Sequence, residues 1–323
     1  MDAETAHERT LHAMASLPSF CSNLLGRLGG RCPEHPVTVA GLTFKNPIGL
    51  AAGLDKNGVA IPVWAALGFG FVEVGTVTAH PQPGNPKPRM FRLQQERALI
   101  NRLGFNNEGS ESLAVRLGEL RASGRWPEAP VGVNVGKSKI TPLEDAPADY
   151  VLSIERLQGL ADYFTINISS PNTPGLRKLQ GEEHLRALLP KTIAAAKGTP
   201  VFLKIAPDLT NEAIGDVVAL AVSEGISGLI ATNTTVRRDL LSADPNQGGG
   251  LSGRPLHDFA ADRIGQVLSC VDGRVPVVGV GGIERVEQVQ RLRDMGCAAV
   301  QVYTSFIYEG PGLPSRLNRQ LSE

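Results

Sequence analysis

The sequence predicts an α/β protein, a (β/α)8 TIM barrel with a short N-terminal helical extension, and three observations lead there. From Pro47 onward eight short apolar runs rich in β-branched residues recur, without the alternation of half-exposed strands, as expected for strands covered on both faces. Each is followed by a polar or glycine-rich corner and a segment of helical period. Separators of that length make the strands parallel, and eight such units close into a barrel. The runs also carry their unusual residue at the C-terminal end: Gly53, Thr76, Asn134, Asn167, Lys204, Asn233, Gly282 and Tyr303. In a barrel those ends converge on the face where sites of this fold are built.

The elements follow in order. Residues 2–30 read as two short helices, with apolar stripes at Leu11, Met14 and Leu17 and then at Phe20, Leu24, Leu25 and Leu28, broken by Pro18 and Ser19. This extension takes residues 1–33 and the barrel 34–323. Segments 37–40 and 42–45 flank Gly41 as a small hairpin expected to close the bottom of the barrel. The strand runs are 47–53, 71–76, 130–136, 163–169, 201–207, 228–234, 275–282 and 299–305. Two long connections, 78–128 and 235–274, are candidate lids.

Composition narrows the function. With 32 Lys+Arg against 32 Asp+Glu the net charge is zero, which argues against a nucleic-acid binder. Hydrophobic residues at 42% suffice for a large core. The four cysteines are scattered, with neither a paired spacing nor a zinc-ligand pattern, so a reduced intracellular chain without a metal site is expected. Residues 10–26 lack Asp, Glu, Lys and Arg but include His12, Pro18 and several serines, so they do not read as a membrane span. No secretory signal is visible. The 36 glycines among 323 residues exceed the usual share of about 7% and point to corners where the backbone approaches a ligand.

Lys204, inside Val-Phe-Leu-Lys-Ile-Ala-Pro, is an ammonium in a buried run, where leaving it unpaired is costly. Lys56 follows the first strand on a glycine-rich corner that could equally be an ordinary turn. Asn101, Asn106 and Asn107 suit an amide-rich ring, since a carboxamide donates and accepts at once, though a capped polar loop explains them as well. Segment 163–177, Tyr-Phe-Thr-Ile-Asn-Ile-Ser-Ser-Pro-Asn-Thr-Pro-Gly-Leu-Arg, ends a buried strand in Asn167, Ser169, Ser170 and Asn172, which folding alone does not require.

That segment, with Gly-Leu-Ala-Ala-Gly-Leu-Asp-Lys-Asn-Gly, Asn-Arg-Leu-Gly-Phe-Asn-Asn, Lys-Ile-Ala-Pro-Asp-Leu, Ala-Thr-Asn-Thr-Thr, Gly-Gly-Leu-Ser-Gly-Arg-Pro-Leu, Val-Gly-Gly-Ile and Gln-Val-Tyr-Thr, closely resembles dihydroorotate dehydrogenase, from about Ala6 to the last helix. A serine at 170, where the cytosolic classes have cysteine, and the helical extension resemble the membrane-associated, quinone-dependent class 2. The resemblance implies oxidation of (S)-dihydroorotate to orotate in pyrimidine synthesis, with one FMN per chain. Ser170 would take the C5 proton, aided by a water or hydroxyl relay, while hydride passes from C6 to N5 of FMN. Lys204 would stand beside the isoalloxazine N1 and C2 carbonyl and stabilise the anionic reduced flavin; the structural alternative is an ion pair with a carboxylate such as Asp208.

By the same resemblance Ala52, Gly53, Lys56, Thr76, Asn134, Asn167, Thr232 and Tyr303 complete the flavin contacts, and Gly253, Gly281, Gly282 and Thr304 hold its phosphate. Orotate would be bound by Lys56, Asn101, Arg102, Leu103, Gly104, Phe105, Asn167, Asn172, Asn233 and Thr234. His7, Arg92 and Tyr303 match the inner end of a quinone tunnel formed by the N-terminal helices; without the family, His7 reads as a surface histidine.

The family has another short helix ahead of the Ala-His-Glu-Arg segment, so part of the membrane-contacting helix and one tunnel wall are expected to be missing. A monomer is expected, peripheral to the cytoplasmic side of the inner membrane and attached through apolar faces between Leu11 and Leu28, net cationic attraction being absent. The rivals are an FMN barrel oxidoreductase with a soluble acceptor, fumarate or NAD; a flavin-free phosphate-binding isomerase or aldolase with a Schiff base at Lys204; and a non-catalytic barrel scaffold.

Overall fold

The computed structural model describes residues 2–16 and 33–321. Helix α1 (Ala3–Ala15) is capped by Asp2, whose side chain accepts from the Glu4 and Thr5 N–H groups. It matches the first expected helix. The second stripe, Phe20 to Leu28, and Leu17 lie outside the described residues.

Strands β1 (Val37–Val39) and β2 (Leu42–Phe44) form the expected hairpin, turning through Ala40 and Gly41, both at positive φ as a two-residue turn requires. Then come β3 (Ile48–Leu50), β4 (Phe71–Val77), β5 (Met90–Leu93), β6 (Ala98–Asn101), β7 (Val131–Val135), β8 (Tyr163–Asn167), β9 (Val201–Ile205), β10 (Gly228–Ala231), β11 (Gly250–Gly253), β12 (Val277–Val280) and β13 (Ala299–Val302). Eight of these, β3, β4, β7, β8, β9, β10, β12 and β13, pair in parallel and close into a barrel in that order, one for each expected run. Helices separate successive strands, and Leu313–Gln320 ends the described chain.

The long connections hold one object rather than two separate flaps. The β5–β6 hairpin from the first pairs antiparallel with β11 from the second, making a three-stranded sheet. That pairing ties the two expected lids together.

The barrel interior is layered by chemistry. At the bottom Phe44 of the hairpin stacks on Phe71 at 4.1 Å between ring centroids, and Tyr163 meets Phe202 edge-on at 5.3 Å. Val39, Ile230, Val278 and Ala299 complete this apolar layer. Glycine makes room for the rings: a Cβ on Gly132 would fall 2.0 Å from the Tyr163 ring, and one on Gly49 2.3 Å from Phe71. Above lie the inward Glu73, Thr165, Lys204 and Gln301, all buried, and then the amides and hydroxyls of the site. Side chains two apart on a strand face the same way, so Phe71 leads up to Glu73, Tyr163 to Thr165 and Asn167, and Phe202 to Lys204.

Candidate active site

The C-terminal ends of the barrel strands meet in one cleft, open at its mouth. It gathers nearly all the residues singled out in the sequence: Ala52, Gly53, Lys56, Thr76, Asn101, Leu103, Gly104, Phe105, Asn167, Ser170, Asn172, Lys204, Thr232, Asn233, Thr234, Gly253, Gly281, Gly282, Tyr303 and Thr304.

At the floor, Lys204 on β9 stands opposite Asn167 on β8 and is 5% exposed. Among the described residues it has neither a hydrogen-bond partner nor an ion pair, so its ammonium is left for whatever fills the cleft. Burial lowers its pKa, and the negative charge of Glu73 opposes that shift. Asp208, the alternative partner for this lysine, instead pairs with Arg177 at 2.8 Å and belongs to the loop beyond β9.

An amide ladder climbs the wall. Asn134 donates to Glu73 Oε1 at 2.7 Å and accepts from the Thr76 hydroxyl at 2.6 Å; Asn167 donates to Thr76 Oγ1 at 2.9 Å and to Asn134 Oδ1 at 3.0 Å. Asn167 Oδ1 then accepts from Ser169 Oγ at 2.9 Å, and Asn233 donates to the same hydroxyl at 2.8 Å. Asn134 is therefore a support beneath the lining. At the rim Ser170 Oγ accepts from the Asn172 N–H at 3.2 Å, and Asn172 donates to Asn101 Oδ1 at 3.1 Å.

Lys56 donates to the Gly53 carbonyl at 3.0 Å. Burial pushes its pKa down to about 8, with Glu4 opposing and Arg89 adding to the fall. At the opposite end Gly253, at φ +99°, lies where a Cβ would come 2.4 Å from the Arg97 carbonyl. There Thr304 opens the helix Thr304–Glu309, and the buried Ser305 hydroxyl has no partner among the described residues.

Arg102, Arg92 and His7 lie outside the lining of the cleft. The Arg102 guanidinium turns from the cleft, donating to Gln247 Oε1 and the Gly248 and Pro88 carbonyls and lying 4.6 Å from the centroid of the Phe91 ring. Arg92 is exposed on β5, against which α1 packs. His7, on α1, has its pKa lowered to about 4 by burial and by the charge of Lys56. Tyr303 reaches the Gly53 carbonyl at 3.5 Å and lines the mouth.

The model for dihydroorotate dehydrogenase matches residues 35–323, nearly the whole described barrel. The chain belongs to the dihydroorotate dehydrogenase family. It is 50% identical to the dihydroorotate dehydrogenase (quinone) of Chloroflexus aurantiacus, over 99% of this chain and 92% of that one. The dihydroorotate dehydrogenase (quinone) of Salinispora arenicola is 51% identical, over 97% and 92%. A crystal structure of DHODH from Eimeria tenella in complex with ferulenol superposes with a TM-score of 0.90 at 38% identity, covering 99% of this chain and 90% of that one.

Within this dihydroorotate dehydrogenase barrel, sequence reasoning passed over Gln301, Ser252 and Ser305 at the cleft, Glu73 beneath it, and the Glu4, Arg89 and Asn85 set behind it. Glu73 and Gln301 carried the same signal that exposed Lys204, a polar group inside an apolar run.

Proposed function

We propose that this chain oxidises (S)-dihydroorotate to orotate, with FMN as its bound flavin and a quinone as acceptor. The observation that carries this reading is the buried, unpaired Lys204 ammonium at the floor of the cleft that also holds Ser170 and the asparagine ladder. FMN suits the residues present: an unmatched cation for the ring's electron-rich edge, an unpartnered Ser305 hydroxyl, and glycine backbone at Gly253, Gly281 and Gly282 for a phosphate. When bound, FMN supplies the centre that accepts hydride and passes electrons on.

The chain's own groups do the rest. Ser170 receives the C5 proton as its own hydroxyl proton passes to a water or hydroxyl relay, and the Asn172 N–H at Oγ favours the alkoxide character that this exchange requires. Lys56 offers an ammonium to the substrate carboxylate. Asn101, Asn172 and Asn233 match the alternating carbonyl and N–H edges of the ring, and Phe105 and Leu103 shield it from water. Asn134 and Asn167 fix the flavin side of the cleft.

For the acceptor half, α1 with His7, Arg92 on β5, and Tyr303 form the approach, and His7 is neutral there at physiological pH. Among the described residues no helix is long and apolar enough to cross a membrane; the proposed attachment is peripheral, through α1 and the segment that follows, to the cytoplasmic side of the inner membrane by a monomer.

The test is visible. Purified protein is expected to be yellow, to bleach anaerobically with dihydroorotate, and to recover colour with a ubiquinone analogue. A colourless protein sinks the flavin reading, and recovery with fumarate or NAD but not quinone replaces the acceptor.

A further inference from the structure

Glu73 is fully buried in the middle of the barrel, with no cation within ion-pair distance among the described residues. Four neutral groups donate to its carboxylate: Asn134 Nδ2 at 2.7 Å, Gln301 Nε2 at 2.9 Å, Thr165 Oγ1 at 3.2 Å and the Tyr163 hydroxyl at 3.4 Å. Burying a charge without a counterion is costly, so an apolar residue would serve stability better here. The position has two further consequences.

The first is polarity. An ionised carboxylate only accepts, so the amides against it must present their NH2 groups downward and their oxygens upward. Asn134 thereby offers Oδ1 to Thr76 and Asn167, which in turn aims Asn167 Oδ1 at Ser169. Gln301, with Nε2 committed to Glu73, is left with a buried Oε1 that has no partner and lines the cleft, an acceptor ready for a ring N–H. The second is charge. The carboxylate acts on Lys204 from below, while the mouth of the cleft lies above.

We propose that Glu73 is a positioning residue that fixes the donor and acceptor pattern of the cleft floor and restrains the field of Lys204 on the bound flavin, setting its reduction potential. This rests on the flavin reading above. With the negative charge removed, Lys204 acts on the flavin unopposed and reduction becomes easier.

The experiment is the flavin midpoint potential of the holoenzyme, measured by equilibration with a reference dye, together with FMN affinity. Glu73→Gln, which removes the charge and keeps the size, is expected to shift the equilibrium about tenfold toward reduced flavin, about 30 mV for a two-electron couple. Glu73→Asp, which keeps the charge, is expected to keep a potential near that of the wild type while binding FMN more weakly. Should Glu73→Gln fail to fold, the isosteric Thr165→Val strips one donor from the carboxylate and is expected to displace the potential. Potentials equal to the wild type in Glu73→Gln and Thr165→Val, with flavin bound, overturn the assignment. A wild-type protein that holds no flavin overturns the underlying reading instead.

Discussion

Glu4 of the N-terminal helix and Arg89, just ahead of β5, form a buried ion pair, with Nη2 2.7 Å and Nε 3.0 Å from the same carboxylate oxygen. Both side chains are about 5% exposed. Arg89 also donates to the Pro83 and Asn85 carbonyls at 2.6 and 2.7 Å, and the Asn85 amide donates to the Asn172 carbonyl at 3.1 Å. The helix at the edge of the cleft is thus fastened to the loop that holds Asn172.

Removing one partner of such a pair strands a buried charge, at a cost of ~3–5 kcal/mol. Arg89→Met is expected to lower amide-exchange protection of Ala3–Ala15 about 100-fold or more and to weaken orotate binding through Asn85, read by exchange mass spectrometry and titration. Burial of Glu4 works against its ionised form, but Arg89 and Lys87 outweigh it and hold its pKa below the usual value. A depressed carboxylate contributes above its unfolded pKa and is lost as pH falls through the folded one. Undocking of the helix by acid is therefore expected only below the ordinary glutamate range.

Lys56 must be charged to attract a substrate carboxylate, and its pKa is near 8. Orotate affinity is expected to fall above about pH 8, approaching tenfold per pH unit, and Lys56→Met is expected to flatten that limb. Folding moves the other way. Between about 8 and the ordinary lysine value of 10.5 the unfolded chain binds the proton that the folded chain releases, so the ligand-free protein gains stability with pH in that window. Orotate titrations and urea midpoints across pH 7–11 check both.

Ser170→Ala is expected to keep its flavin and lose flavin reduction by dihydroorotate by orders of magnitude, because no side-chain oxygen is left at that position to take the C5 proton. Stopped-flow absorbance decides it, and near-normal reduction removes Ser170 from its role.

Phe44→Ala opens the bottom layer by deleting the ring stacked on Phe71. Loss of a buried aromatic costs ~3–5 kcal/mol. Urea denaturation is expected to show it, with orotate affinity unchanged because the cleft lies at the other end of the barrel.

Much of the fold was legible because barrel strands are buried on both faces, which leaves uninterrupted apolar runs; all eight lie where those runs do. The hairpin was legible from Gly41. The side of a strand that a residue faces was harder to see. Asn101 and Arg102 are adjacent, yet one enters the cleft and the other turns away to Gln247 and Phe91, as neighbours on an extended chain do. Lys204 faces inward with Phe202, so its counterpart is Glu73 from across the barrel rather than Asp208, four residues along. A charge acting across 131 positions leaves no local trace, and neither does the Glu4–Arg89 contact between residues 85 apart. The glycine excess reflects interior rings at Gly49 and Gly132 as well as the ligand corners to which it was first assigned.

The aromatic layer beneath Glu73 closes the base of the barrel and leaves its strand C-terminal ends as the open face. Among the described residues the barrel is therefore no pipe: its cleft opens toward the rim framed by α1 and by the sheet of β5, β6 and β11. The doorkeepers are thus the least barrel-like parts of the chain.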